Sequence, residues 1–115
     1  MNIYELSVSG INVNEGIGRF GGVASLYEKY LIKFPADKNF EKMCEALTAR
    51  DVKTAFSYAH ALKGLAGNLS LQSLYDSVYP LVEKLRGESL EGCEELLLPV
   101  TESYKKTVNA IIGQK

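Results

Sequence analysis

The chain holds one histidine, His60, within Tyr58-Ala59-His60-Ala61-Leu62-Lys63-Gly64-Leu65-Ala66-Gly67-Asn68-Leu69. A neutral imidazole nitrogen is nucleophilic near neutral pH, can form a covalent intermediate, and can pass on the group it accepts. Lys63 follows one helical turn later, where an ammonium suits an anion. A phosphoryl group brings about two negative charges and three acceptor oxygens, which such a lysine can neutralise and hydrogen-bond. His60 and Lys63 are therefore a candidate phosphoryl-holding pair. Set against this, a lone histidine on a helix is most often a surface or satisfied half-buried residue, and a lysine alone says less still.

Chemistry at this pair needs a helix to hold it. Ala55, Ala59, Leu62, Ala66 and Leu69 recur at intervals of three and four, which makes one apolar stripe on a 3.6-residue period. His60, Lys63, Gly64 and Gly67 share that spacing on a neighbouring face and stack one turn apart. Glycine inside a helix costs roughly 1 kcal/mol relative to alanine, so two of them beside a histidine imply a packing or access reason. Asp51 is placed to cap a helix from about Val52 to Gly67. On its exposed side, Phe56 and Ser57 stand about one turn before His60 and Lys53 about two. Phe56 fits the core equally well.

Asn68 to Ser70 make a tight connection, and short links join antiparallel neighbours. Leu71, Leu74, Tyr75, Val78, Leu81, Val82 and Leu85 give the partner helix, with a kink predicted at Pro80. Gln72 and Tyr79 on this helix are within range of the imidazole's other nitrogen or the rim of the site. Upstream, residues 1–10 are an unspecified lead-in, and Asn12 or Asn14 caps a short helix that Gly21-Gly22 breaks. Val23 to Phe34 read as a long helix ended by Pro35, and Phe40, Met43, Cys44 and Leu47 as the next. A last helix begins near Ser89, bends at Pro99 and frays after Ile112. The glycines from Gly16 to Gly22 read as chain breakers, since no lysine-serine pair follows them as in a phosphate-binding loop. The expected fold is all-α: an antiparallel four-helix bundle with a short additional N-terminal helix, one domain over residues 1–115.

Composition limits what else the chain can do. With 115 residues, 46% hydrophobic and 23% charged, it is large enough for one core without staples. A net charge of −1 without a Lys/Arg run argues against nucleic acid and against a membrane surface. No window has the apolar length to cross a bilayer, and Met1 to Leu6 lack the basic start and apolar run of a signal peptide, so a cytoplasmic location is expected. Cys44 and Cys93 stand far apart without a second histidine, which predicts reduced thiols and no metal site.

Ala59-His60-x-Leu62-Lys63-Gly64-x-x-Gly67-Asn68-Leu69 closely resembles the signature of histidine-containing phosphotransfer (HPt) domains. Gly10-Ile11-Asn12-Val13-Asn14-Glu15-Gly16-x-x-Arg19-Phe20-Gly21-Gly22, with Leu26-Tyr27 and Phe34, is similar to the start of the same domain, so the resemblance spans roughly residues 8–112. Ser70 departs from it, because many relatives carry glycine there; serine can cap a following helix, so the change is expected to be tolerated. The resemblance implies that His60 accepts a phosphoryl group, that Lys63 steadies its charge, and that Gly64 and Gly67 give a partner access. Residues that share the exposed face, Lys53, Phe56 and Ser57, are expected to contact that partner together with Gly64 and Gly67, and Gln72 on the neighbouring helix to reach the rim. The implied partners are a response-regulator receiver domain and a sensor or hybrid histidine kinase. No cofactor belongs to the chain itself; magnesium and the aspartate come from the receiver. Val82 is too apolar to orient an imidazole by hydrogen bonding, which disfavours the chemotaxis-kinase version, where a glutamate on that helix is expected.

Other readings remain open. One is a helical docking module that binds a receiver without phosphotransfer, though retention of both His60 and Lys63 speaks against it. A small enzyme using His60 as general base would need an orienting carboxylate that the motif lacks. A phosphohistidine phosphatase would need a positioned water. The exposed transfer face implies a monomer, because a dimer through that helix would bury His60. The initial Met1 suggests a free-standing carrier, and the resemblance implies that it has no ATP site or kinase activity of its own.

Overall fold

Apolar residues at helical spacing give every long segment one buried face, and the segments close around it. The computed structural model describes residues 1–114. Three short helices, α1 (Ile3–Val8), α2 (Val13–Arg19) and α3 (Ala24–Leu31), and a 3-10 turn (Phe34–Ala36) lead into α4 (Asn39–Thr48), α5 (Val52–Asn68), α6 (Gln72–Arg86) and α7 (Cys93–Ile112). No strand occurs among the described residues. The last four helices are the bundle: α4 packs on α5, α5 on α6 and α6 on α7. Phe40 of α4 stacks on Tyr104 of α7 at 4.0 Å, with Phe34 edge-on to the same ring.

Ala55, Ala59, Leu62 and Ala66 are the buried residues of α5. Three alanines leave little side chain on the face of α5 against which α4 and α6 pack. Leu74, Val78, Leu81, Val82 and Leu85 fill the inner face of α6. Flanked on two sides and buried on a third, α5 keeps one face for solvent.

Five helices end in the same way. The amide two residues past the C-cap bonds back to the carbonyl five residues earlier, and the residue between C-cap and donor lies in the left-handed region, as in a Schellman motif. Glycine fills that position after α1 (Gly10, φ 86°) and α2 (Gly21, φ 70°). After α4, α5 and α6 it is Arg50 (φ 58°), Ser70 (φ 55°) and Glu88 (φ 58°). The returning bonds are Asp51 N–H to Ala46, Leu71 N–H to Ala66 and Ser89 N–H to Lys84. All three connections of the bundle thus turn through a left-handed residue that has a side chain.

The N-terminal third is more regular than its sequence suggests. The lead-in contains α1, capped by Asn2, whose Oδ1 accepts from Glu5 N–H at 3.0 Å. Asn12, not Asn14, caps α2, accepting from Glu15 N–H at 3.2 Å. Helix α3 stops at Leu31 rather than Phe34, because Pro35 disfavours helical backbone before it and the chain tightens into the 3-10 turn. Gly16 is not a chain breaker: it lies inside α2, and a Cβ there would stand 2.2 Å from the Tyr27 ring.

At the other end, α7 begins at Cys93 and not near Ser89, since Gly92 at its N-cap is left-handed (φ 76°). Ser89 Oγ instead accepts from Glu91 N–H and shapes the preceding turn. Helices α6 and α7 run through Pro80 and Pro99. Gln114 is tied down: its side chain accepts from Asn2 N–H and donates to Glu5 and to the Ala110 carbonyl. Of the tail expected to fray, Lys115 lies outside the described residues.

Candidate functional site

Helix α5 is set by its cap. Asp51 Oδ1 accepts from Thr54 N–H at 3.2 Å, and the bonds from Thr54 hold the Asp51 carboxyl below the usual range. With Ala59 and Leu62 fixed in the core, the helical period leaves His60 exposed. Lys53, Ser57 and Gly64 are exposed on α5 as well, whereas Phe56, Lys63 and Gly67 are half-buried.

The α5–α6 contact has a regular register. Phe56 lies under the Arg86 guanidinium (5.1 Å to the ring centroid), Lys63 Nζ sits over the Tyr79 ring (4.9 Å), and Gly67 faces the Tyr75 ring. From Phe56 to Lys63 to Gly67 the partner moves from Arg86 to Tyr79 to Tyr75, equal steps in opposite directions. The helices therefore run antiparallel, and the same register sets Val82 opposite His60. Val82 is fully buried and apolar, so α6 offers the imidazole no hydrogen bond there.

Beside His60 lies an aromatic ring. The Phe56 and His60 rings are 5.7 Å apart and tilted by 38°. Arg86 also pairs with Glu83 (3.5 Å), but no ion pair among the described residues involves Lys63. The Lys63 ammonium thus keeps its charge undiminished by a carboxylate. Among the described residues no side chain hydrogen-bonds His60, which leaves the general-base reading without its orienting group.

Beyond Lys63 the surface dips into a groove of about 400 Å³ lined by Arg19, Lys63, Gly64, Gly67, Ser70 and Gln72. Its far wall is a chain of polar contacts: Ser70 Oγ donates to Glu15 Oε1 (2.9 Å), and Glu15 pairs with Arg19 (3.4 Å). Ser70 therefore does not cap α6, whose N-cap, Leu71, has no side-chain bond. Gln72 Nε2 donates to Asp76 Oδ1 at 2.8 Å along its own helix, so Gln72 lines the groove without turning to His60.

The two glycines differ. A Cβ at Gly64 would meet nothing within 4 Å, so nothing inside the protein demands glycine there. At Gly67 a Cβ would touch the Tyr75 ring at 3.4 Å, ordinary contact. Elsewhere, burial pushes the Cys44 and Cys93 thiols up, which leaves them poor nucleophiles. No cluster of potential metal ligands occurs among the described residues, and none of their helices is long and apolar enough to cross a membrane.

Sequence reasoning missed Arg86 altogether. The signal was available: once the α5–α6 turn is read as tight, counting backwards from it pairs Phe56 with Arg86 and Lys63 with Tyr79.

A family model described as Hpt domain matches residues 35–112, from the 3-10 turn to the end of α7. No curated protein and no solved structure matches the chain.

Proposed function

The chain belongs to the Hpt domain family, and we propose that it is a phosphorelay carrier that takes a phosphoryl group onto His60 and passes it to a response regulator. Hpt domains are phosphocarriers of phosphorelays, which meet receiver domains and kinases. One observation carries the assignment to this residue: the sole imidazole is exposed on α5, with an ammonium one turn further on that pairs with no carboxylate among the described residues.

In the proposed step the solvent-facing imidazole nitrogen attacks the phosphorus of an aspartyl phosphate. The N–P bond forms as the bond to the carboxylate oxygen breaks, and the carboxylate leaves with the electron pair. The other ring nitrogen carries the imidazole proton. Lys63 compensates the phosphoryl charge, while the receiver supplies the aspartate and its magnesium ion. Little covalent work is left to the carrier, so alignment and charge account for most of the rate. Val82 opposite His60 fixes no tautomer, so in this carrier the ring orientation falls to the docked partner and to the neighbouring Phe56 ring.

The receiver docks on the exposed face of α5, against Lys53, Phe56, Ser57 and Gly64, with Gly67 and Gln72 at the groove. A monomer in the cytoplasm fits a face that must stay open to several partners. The test is transfer of labelled phosphoryl from phosphorylated receiver domains to wild type and to His60→Gln, with acid treatment of the product. Acid-labile label on wild type alone supports the carrier. Binding of a receiver without any transfer would replace it with the docking-module reading.

A further inference from the structure

We propose that Tyr79 is a positioning residue for phosphotransfer, acting through Lys63. This rests on His60 as the phosphoryl acceptor. Lys63 Nζ lies 4.9 Å from the centroid of the Tyr79 ring, directly across the α5–α6 seam. A free lysine on a helix surface samples many rotamers, and fixing it costs side-chain entropy. The ring meets part of that cost before the phosphoryl group arrives.

An aromatic partner differs in kind from a carboxylate. A glutamate at position 79 would hold the ammonium equally well, but would neutralise it and compete with the phosphoryl oxygens. A ring attracts the cation through its quadrupole and leaves the net charge and the N–H donors for an anion. Tyr79 is itself supported, with its ring 6.1 Å from that of Tyr75, which packs on Gly67. It is nonetheless 45% exposed, so substitutions there leave the core intact.

Phosphoramidate separates this role from docking. It is a small donor whose phosphorus the imidazole attacks with loss of ammonia, and it needs no receiver. Phosphorylation of His60 would be followed by phosphorus NMR in wild type, Tyr79→Leu and Tyr79→Phe, each with Lys63 present and as Lys63→Met. Tyr79→Leu is expected to slow the reaction about two- to five-fold, the range of an exposed cation–π contact. Tyr79→Phe, which keeps the ring, retains the rate, and in the Lys63→Met background Tyr79→Leu has no further effect. The Lys63 ε-methylene protons should also lose an upfield ring-current shift in Tyr79→Leu. Wild type that labels while Tyr79→Leu labels equally fast or faster, or an effect that persists without Lys63, would overturn the proposal alone. Wild type that takes no label from any donor would remove it together with the His60 assignment.

Discussion

The Ser70 hydroxyl donates a 2.9 Å hydrogen bond to Glu15 Oε1, joining α2 to the turn between α5 and α6. Ser70 is 2% exposed and left-handed (φ 55°), so the bond forms at a strained position. Its strain can be weighed against Glu88, which has nearly the same backbone (φ 58°) in the turn after α6, is exposed, and makes no side-chain bond among the described residues. Glycine relieves left-handed strain worth about 1 kcal/mol. Glu88→Gly should therefore stabilise the protein by about 1 kcal/mol. In Ser70→Gly the same relief is offset by the lost bond to the charged Glu15, worth about 1.5 kcal/mol or more, so stability should stay level or fall. Urea unfolding of both variants gives the comparison; equal stabilisation would mean the Ser70–Glu15 bond contributes nothing.

Gly16 should tolerate no side chain. A Cβ would stand 2.2 Å from the Tyr27 ring, and Tyr27 is held by its hydroxyl, which donates to the Leu69 carbonyl at 2.7 Å. The ring cannot swing away without losing that bond. Gly16→Ala should cost about 1–3 kcal/mol despite alanine's better helix propensity. Gly18→Ala on the same helix is the control, since a Cβ there meets nothing within 4 Å. Thermal unfolding should show Gly16→Ala lower and Gly18→Ala at or above wild type.

What could be read from the sequence follows from range. The buried stripe Ala55, Ala59, Leu62, Ala66 and the Asp51 cap are local patterns, and the structure reproduces them. Gly16 was misread because its close neighbour, Tyr27, belongs to another helix. Ser70 was misread because its backbone is left-handed, which turns the hydroxyl from the amides of α6 towards Glu15. Arg50 and Glu88 carry no residue-type signal for that conformation, which glycine usually fills. Arg86 came to the site through helix register, a property of two elements and their turn.

Tyr27 also predicts a response to alkali. Burial pushes its phenol from 10.0 up to about 12. The folded protein therefore keeps this proton where the unfolded chain releases it. The contribution is complete below about pH 10 and is lost as pH rises towards 12. The difference in unfolding free energy between wild type and Tyr27→Phe isolates this group from the other tyrosines and lysines. It should be constant from pH 7 to 9 and shrink above 10; a constant difference up to pH 11.5 would show that Tyr27 titrates normally in the fold.

Gly64 separates stability from function most cleanly. It lies inside α5, where glycine costs roughly 1 kcal/mol against alanine, and beyond its chain neighbours and the helix's own backbone no atom of the described residues comes within 4 Å of a Cβ placed there. Gly64→Ala should therefore raise the melting temperature. A longer side chain also meets no internal obstacle, so Gly64→Gln should fold as well as wild type or better. Yet it would stand one turn from His60 on the face where the receiver must bring its aspartyl phosphate into line. Displacement of the donor by about 1 Å can cost on the order of 100-fold in rate. Transfer from a phosphorylated receiver to Gly64→Gln should fall by one to two orders of magnitude, while phosphorylation by phosphoramidate, small enough to pass the side chain, stays near the wild-type rate. If both donors are slowed alike, the glycine acts on the histidine itself; if neither is, the receiver approaches from another side.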